Sequence, residues 1–156
     1  MEREILFRGK RLNNGEWVCG NLIQMDSEGS QSFIFPFYKY ASSLTCDQIV
    51  SMFMVAVDPA TVGQYAFLND IDDKKIFTAD ILQDKITGDL YVVDFIGGGF
   101  GLFTMKEYVD LKHRHQVILW DGLSELQTAC FVSQNLGIIG NIHDNPELLK
   151  EAPECH

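Results

Sequence analysis

Short apolar and aromatic runs separated by turn-forming pairs are the feature that most constrains how this chain can fold. The runs Ile5 to Phe7 and Trp17 to Cys19 flank Asn14-Gly15. This pair favours a type I′ hairpin turn because both residues tolerate positive φ, so a first hairpin is predicted over about residues 4–24. The turn Thr87-Gly88 leads into a strand from Leu90 to Ile96. Such a succession favours a small, strongly bent antiparallel sheet or barrel over a parallel α/β core.

Further strands are predicted in the middle and at the end of the chain. Phe53 to Val57 is interpreted as a buried strand that ends at the turn Asp58-Pro59. A second hairpin is then expected, with Tyr65 and Phe67 on one strand, a polar turn from Asn69 to Lys75, and Ile76 to Asp84 as the returning strand. The last strand is predicted from Ile138 to Ile142.

One strand carries a stripe of phenylalanines. Phe33, Phe35 and Phe37 alternate with other residues, which places three rings on one face of a strand. Pro36 cannot donate to a hydrogen-bond ladder and is expected to confine that end to a sheet edge. Packing in the core or at an interface is the favoured interpretation, with a stacking platform as the alternative.

Helical segments are predicted to be short. Thr45 to Gln48 and Ser124 to Gln127 have the form of capping boxes, and Lys106 to Leu111 is a candidate for a short helix. Asn145-Pro146 has the form of an N-cap followed by proline at the first helical position. Residues 105–136 contain no motif that can be assigned.

The formal net charge of −10 opposes nonspecific binding to phosphate backbones, since such binding depends on cationic groups. Nucleic acid is therefore not the expected partner. Residues 58–94 hold eight Asp and three Lys, whereas the start of the chain is basic through Arg3, Arg8, Lys10 and Arg11. Segregated charge of this kind is compatible with self-association, and ordinary scattered surface charge is the simpler interpretation.

Cysteine spacing and hydropathy indicate a cytoplasmic protein with reduced thiols. The cysteines Cys19, Cys46, Cys130 and Cys155 form no C-x-x-C pair, so a zinc site built from them is not expected. No stretch approaches the roughly 18 apolar residues that span a bilayer, and the N-terminus lacks the pattern of a secretory signal. No membrane association is expected.

Two motifs that suggest a ligand fail in detail. Gly97 to Gly101 is glycine-rich, but a phosphate-binding loop also needs a helix beginning directly afterwards, usually with Lys then Ser or Thr, so a bulge or wide turn is predicted. An EF-hand loop beginning at Asp70 would need glycine and glutamate where Lys75 and Ile81 stand. A solvated hairpin turn is predicted there instead.

Catalytic and metal-binding patterns are equally weak. His113 and His115 could place two rings on one face of a strand toward a metal, but neighbouring cations oppose this, and a solvated basic turn is the alternative. No nucleophile elbow or recognisable catalytic cysteine occurs. We therefore predict no cofactor, no metal and no catalytic residue.

Three segments together resemble a known family. The first runs from Glu4 to Val18, and the third from Ile139 to Leu149. The second has two parts, Thr61-Val-Gly-Gln-Tyr65 and Ile76 to Leu82. These segments resemble the YopX-like proteins, a group carried mainly by phages, prophages and plasmids, for which no activity is established. The signature residues that fit are assigned structural roles: Thr61, Gly63, Gln64, Tyr65, Asp80, Ile81, Gly140, Asn141, Asn145 and Pro146.

The chain departs from the family's usual pattern at two places. It has Ala66-Phe67 where the family usually has Thr-Gly, and Phe77-Thr-Ala79 where Tyr-Glu-Gly is usual. The resemblance implies a mostly β, cytoplasmic protein with a small barrel of the Src-homology-3 type. We accordingly expect one domain over residues 1–156, with a barrel core and an inserted or appended segment at about 105–136.

The functional hypothesis that follows is a non-enzymatic accessory protein of a phage or prophage. It would bind a host or phage protein, or assemble with itself as a homo-oligomer. The alternatives are a small hydrolase-like enzyme with an unrecognised site, and an acidic mimic of DNA or a nucleic-acid-associated protein. Mimicry would require the carboxylates between Asp70 and Asp94 to line one face, yet three lysines, Lys74, Lys75 and Lys85, are interspersed among them.

Overall fold

A computed structural model describes residues 4–25, 31–36, 45, 47–48, 53–96, 98–114 and 125–150. The strands are β1 Phe7–Lys10, β2 Trp17–Gln24, β3 Ser32–Phe35, β4 Val55–Val57, β5 Gly63–Asn69, β6 Lys75–Phe77, β7 Asp80–Asp84, β8 Leu90–Ile96, β9 Gly99–Thr104 and β10 Leu136–Asn141. The helices are α1 Met105–Arg114 and α2 Glu125–Asn135, with short 3-10 helices at Pro59–Thr61 and Pro146–Leu149. The protein is mainly β, as predicted.

The chain forms two compact units, Met1–Tyr65 and Ala66–His156, here called unit 1 and unit 2. Strand β5 begins in unit 1 and ends in unit 2. The expectation of one domain over residues 1–156 stays a prediction.

The first hairpin of unit 1 is confirmed, but its turn is not of type I′. Strands β1 and β2 are antiparallel, with Lys10 opposite Trp17. The Arg11 amide donates to the Glu16 carbonyl and the Gly15 amide to the Arg11 carbonyl, which closes a four-residue loop. Gly15 has φ of 72°, whereas Asn14 is not in the left-handed region and uses its side-chain oxygen to accept from the Glu16 amide at 3.0 Å. One glycine is thus sufficient to reverse the chain.

Strands β2, β3 and β4 continue the unit 1 sheet, and β5 pairs with the other side of β1. The core of this unit contains Val18, Ile34 and Val57. Phe33 and Phe35 are half-buried on the opposite face of β3 from Ile34. Pro36 was expected to confine its end of the strand to a sheet edge. Strand β3 lies between β2 and β4 and ends at Phe35, directly before the proline, and its register with β4 ends at Ile34, whereas Phe35 is still opposite Asn21 of β2.

The end of β1 also reaches β4. Arg11 forms an antiparallel bridge with Val57, and the Asp58 amide donates to the Lys10 carbonyl at 2.8 Å. The 3-10 helix that follows is capped by Asp58, whose Oδ1 accepts from the Ala60 amide at 3.0 Å. Backbone pairing therefore links β1 to β2, β2 to β3, β3 to β4, and the end of β1 back to β4.

In unit 2 the predicted returning strand Ile76 to Asp84 is wrong as one element. It divides into β6 and β7 at a turn formed by Thr78 and Ala79, and the two strands belong to different sheets. Ala79 has φ of 74°, which rotates the chain out of the line of β6. A positive φ at a single residue was not predicted from the sequence, because alanine rarely adopts it.

The second sheet has the order β10-β7-β8-β9 and is antiparallel throughout. Both of its faces are covered. On one face Leu82, Val93 and Leu102 pack with Val132 of α2, and on the other Ile81, Val92 and Phe103 pack with Tyr108 of α1. Buried residues therefore occur consecutively along β7 and β8, as expected for a strand with two covered faces.

The turns and helices predicted around this sheet are mostly present. The turn containing Gly88 joins β7 to β8, and the helix predicted over Lys106 to Leu111 is present as the longer α1. The reciprocal capping box is confirmed, since the Thr45 amide donates to Gln48 Oε1 and the Gln48 amide to Thr45 Oγ1. The second capping box begins at Ser124, outside the described residues.

The sheets are open in strand order, so the predicted Src-homology-3-type barrel stays a prediction. Within the described ranges, none of the helices has the length and apolar character that crossing a bilayer requires.

Candidate functional site

The first signature segment lies where β5 leaves the 3-10 helix. Thr61 Oγ1 accepts from the Lys10 amide at 2.9 Å and donates to the Asp58 carbonyl at 2.7 Å. Gly63 is buried and opposite Arg8 on β1, while Gln64 is opposite Phe7. The Tyr65 ring is buried, and its amide donates to the Leu6 carbonyl at 2.8 Å. These residues join the start and end of the unit 1 sheet.

The second signature segment fixes the turn between β6 and β7. Asp80 is 1% exposed, and its Oδ2 accepts from the Phe77 amide at 2.8 Å. This matches the expected hydrogen bond from Asp80 to a turn. Ile81 is fully buried, and the Ala79 carbonyl accepts from the Ile142 amide at 2.9 Å.

The third signature segment forms the turn after β10. Asn141 is buried, and its Oδ1 accepts from the amides of His143 and Asp144 at 3.0 Å each. Asn145 is the N-cap residue of the 3-10 helix and Pro146 its first residue, as predicted. The Asn145 side-chain oxygen does not cap this helix and accepts from the Asn141 amide instead. A Cβ on Gly140 would collide with this Asn145 side chain.

Two residues of unit 2 adopt left-handed conformations where the family pattern usually has glycine. Phe67 has φ of 61° and Ala79 has φ of 74°. A bulky residue in this region is a true outlier that costs of the order of 1–2 kcal/mol. The chain therefore places side chains at two left-handed backbone positions, and at Phe67 the side chain is an aromatic ring.

The added ring joins an aromatic cluster on unit 2, defined here as Phe67, Phe95 and Phe100. The ring centroids of Phe67 and Phe100 are 5.8 Å apart, and those of Phe95 and Phe100 are 5.1 Å apart, both in edge-to-face arrangements. Phe95 is nevertheless 52% exposed. Sequence reasoning missed this cluster, although the pairing of β8 with β9 places Phe95 opposite Phe100.

Three acidic residues of unit 2 are part of its framework. Asp70 is 3% exposed, so the solvated turn predicted there is wrong for this residue. Its Oδ1 accepts from the amides of Asp72 and Lys74, and its Oδ2 from the Ile138 amide of β10 at 2.9 Å. Asp80 and Asp84 are also buried and accept backbone hydrogen bonds. These three carboxylates are consequently not displayed as a mimic of DNA would require.

Two tyrosines of unit 2 have perturbed acidity. Burial chiefly raises the pKa of Tyr108 well above its usual value, with additional effects of the charge and hydrogen bonding of Asp94. Burial also raises the pKa of Tyr91, followed by the negative charges of Asp89, Asp84 and Glu107. Both phenols thus remain protonated through the neutral range and well into the alkaline range.

The sequence motifs that suggested ligand binding form strands, turns and a helix in the structure. Of the glycine-rich segment, Gly98 lies in the turn between β8 and β9, and Gly99 to Gly101 belong to β9, with Ile96 opposite Gly99; Gly97 lies outside the described residues. His113 lies in α1, so both the strand needed for a His-x-His site and the predicted basic turn are wrong there, and His115 lies outside the described residues. Cys19 and Cys130 are exposed. Among the residues described, no group of three or more His, Cys, Asp or Glu side chains is arranged to hold a metal ion.

The predicted basic patch is partly described in unit 1. The Arg8 guanidinium lies 4.6 Å from the centroid of the Trp17 ring, and Lys10 Nζ lies 5.5 Å from the same ring. The two cations are therefore held over an aromatic side chain. Arg3 lies outside the described residues.

Comparisons with known proteins agree with the resemblance. The sequence profile of the family described as YopX protein matches residues 6–150. A crystal structure of protein EF1440 from Enterococcus faecalis is similar, with a TM-score of 0.51 and 18% identity over 95% of this chain and 99% of that chain. At this identity the similarity shows the fold alone. No curated protein matches the sequence.

Proposed function

The chain belongs to the YopX protein family, and we propose that it is a non-enzymatic module that binds another protein or assembles with itself. The observation that carries the proposal is the aromatic cluster of unit 2, in which Phe95 is exposed and Phe67 and Phe100 are half-buried. The exposed Phe95 ring, supported by the half-buried Phe100 ring, favours association, because covering it removes apolar area from water. Phage or prophage origin and a cytoplasmic location are part of the proposal.

The conformation of Phe67 supports a contact role for this surface. Glycine would satisfy φ of 61° without strain, yet the chain places a phenylalanine there. Backbone strain of this kind is concentrated at functional sites, where the surrounding structure maintains it. The ring that results packs against Phe100 and enlarges the aromatic surface.

The finer architecture of unit 1 is proposed to be a small Src-homology-3-type barrel. Its strands follow the order β4-β3-β2-β1-β5, and the Arg11 bridge to Val57 links β1 back to β4. A 3-10 helix precedes β5. These features support the barrel, which would position the basic patch around Trp17 on its β1-β2 hairpin.

A matched pair of surface variants tests the function. Phe95→Ala removes a ring of the aromatic cluster, and Ile86→Ala removes an 81% exposed side chain from the β7-β8 turn. The tagged parent and both variants are incubated with host lysate at low and high salt, with and without nuclease. We expect one protein captured at both salt concentrations by the parent and by Ile86→Ala, with capture lost in Phe95→Ala.

Other capture patterns would support the alternatives. Salt-sensitive capture of many basic proteins would favour acidic mimicry, and nuclease-sensitive capture would favour association with nucleic acid. Equal capture by both variants would contradict the role of the aromatic cluster. Turnover of a hydrolase substrate, abolished by one side-chain change that leaves the fold intact, would replace the proposal with an enzymatic one.

Light scattering tests self-assembly separately. Homo-oligomers at high protein concentration that Phe95→Ala converts to monomers would assign the surface to self-association. Monomers for parent and variant alike would leave a foreign protein as the partner.

A further inference from the structure

Among the strands that the structure describes, β9 is an edge of the second sheet, because β8 is its neighbour on one side and the order β10-β7-β8-β9 ends there. Its register with β8 runs from Ile96 opposite Gly99 to Tyr91 opposite Thr104. In an antiparallel pair, hydrogen-bonded and non-hydrogen-bonded residue pairs alternate. The phase of that alternation decides which backbone groups of β9 point away from the sheet.

Two hydrogen bonds fix this phase. The Val93 carbonyl of β8 accepts from Ala79, so the pair Val93-Leu102 is not hydrogen-bonded between β8 and β9. The Thr104 amide donates to Glu107 Oε2 at 2.9 Å and therefore points away from β8. By alternation, the N–H and C=O groups of Phe100 and Leu102 also point outward. Within the described part of the chain, these four groups have no hydrogen-bond partner.

The opposite edge of the same sheet is protected. On β10, the Leu136 carbonyl accepts from the Ile71 amide, and the Ile138 amide donates to Asp70. The Asn141 amide donates to the Asn145 side chain. Strand β9, by contrast, contains no proline and no charged residue, which are the usual devices that prevent strand addition.

The two ends of the β9 edge differ in chemistry. Phe100, at its start, belongs to the aromatic cluster with Phe67 and the exposed Phe95. At its other end, the Glu107 carboxylate accepts from both the amide and the hydroxyl of Thr104. Tyr91, opposite Thr104, lies in the negative field of Asp89, Asp84 and Glu107. The edge is thus apolar at one end and acidic at the other.

We propose that β9 accepts an extended segment of another protein as an added strand, apolar where it meets Phe100 and basic where it meets Glu107. This inference rests on the proposed protein-binding function and specifies its mode. Main-chain hydrogen bonds to Phe100 and Leu102 hold the segment, and the two ends of the edge select its side chains. The 15 acidic and 7 basic residues of unit 2 strengthen the preference for a basic partner.

The test uses the full chain and defined peptides. Twelve-residue peptides are selected from a random display library, and the best binder is synthesised in two forms that are N-methylated at alternate residues in opposite phases. Only one phase removes the N–H groups that face β9. We expect the selected peptides to combine apolar residues with Lys or Arg, and one methylated form to bind about tenfold or more weakly while the other keeps its affinity.

A pair of substitutions at one position gives the complementary result on the protein side. Phe100→Ala removes the ring and keeps the amide, whereas Phe100→Pro also removes an amide that none of the described strands uses. We expect Phe100→Pro to bind more weakly than Phe100→Ala. Circular dichroism and a melting curve establish whether each variant folds. If Phe100→Pro does not fold, the methylated peptides alone decide whether the segment binds by strand addition.

Three outcomes would overturn the proposal. If both methylated forms bind as well as the parent peptide, strand addition is wrong, and loss of that binding in Phe95→Ala would show that the aromatic cluster still binds protein. Failure of selection to enrich any peptide would reject an extended segment as the occupant. Self-association of the chain that Phe100→Pro abolishes would assign the edge to a second copy instead of a foreign segment.

Discussion

At the scale of single residues, the left-handed conformation of Ala79 predicts a stabilising substitution. Ala79→Gly removes a steric conflict between Cβ and the backbone, partly offset by the greater freedom of glycine in the unfolded chain. We expect the free energy of unfolding to rise by about 0.5–1 kcal/mol in a urea titration. The control Ala60→Gly, at an exposed residue without positive φ, should be neutral or destabilising. Equal effects at both positions would show that Ala79 is not strained.

The buried ring of Tyr65 predicts a destabilising substitution. Truncation in Tyr65→Ala leaves a cavity beside the joined start and end of the unit 1 sheet, at a cost on the order of 3–5 kcal/mol. Such a loss is a large share of the stability of an ordinary domain and should lower the melting temperature markedly. A variant that melts within about a degree of the parent but loses its partner would show that Tyr65 belongs to a binding surface.

The raised pKa of Tyr108 predicts an alkaline limit to stability. The folded state holds the phenolic proton more tightly than the unfolded state. The contribution of Tyr108 to the free energy of unfolding is therefore constant below the unfolded pKa of about 10 and falls as the pH rises above it. Tyr108→Phe should therefore lose less stability than the parent between about pH 9 and 11.5 in urea titrations at each pH. An identical decline in both proteins would assign the loss to other groups.

At the scale of elements, Asp70 connects a hairpin turn to β10. Asp70→Ala deletes three backbone hydrogen bonds, one of them to Ile138, and should destabilise the protein by about 2–4 kcal/mol. Hydrogen exchange at the Ile138 amide should accelerate more than exchange in the unit 1 sheet. The neighbouring exposed Asp72 provides the control, since Asp72→Ala is expected to change stability by less than about 0.5 kcal/mol. Similar effects of both substitutions would contradict the connecting role.

Strands and tight turns were predictable at this scale because their signals are local. Gly15 and Gly88 both supply the positive φ of a four-residue hairpin loop, and the strand predicted from Leu90 to Ile96 is present as β8 with these bounds. Phe67 and Ala79 depart from the local preference of residues with a Cβ for negative φ, because tertiary contacts hold them in a conformation that their side chains disfavour. The aromatic cluster, the burial of Asp70 and the open edge of β9 depend on which strands become neighbours, which local patterns do not specify.

At the scale of the whole molecule, the net charge of −10 predicts a stabilising effect of salt. Mutual repulsion among carboxylates opposes the compact state, and the Debye length falls from about 30 Å at 0.01 M to about 3 Å at 1 M ionic strength. The melting temperature should therefore rise by a few degrees as sodium chloride increases over this range. Potassium chloride should match sodium chloride if screening is the cause. A melting temperature that stays constant or falls would show that favourable charge interactions outweigh the repulsion.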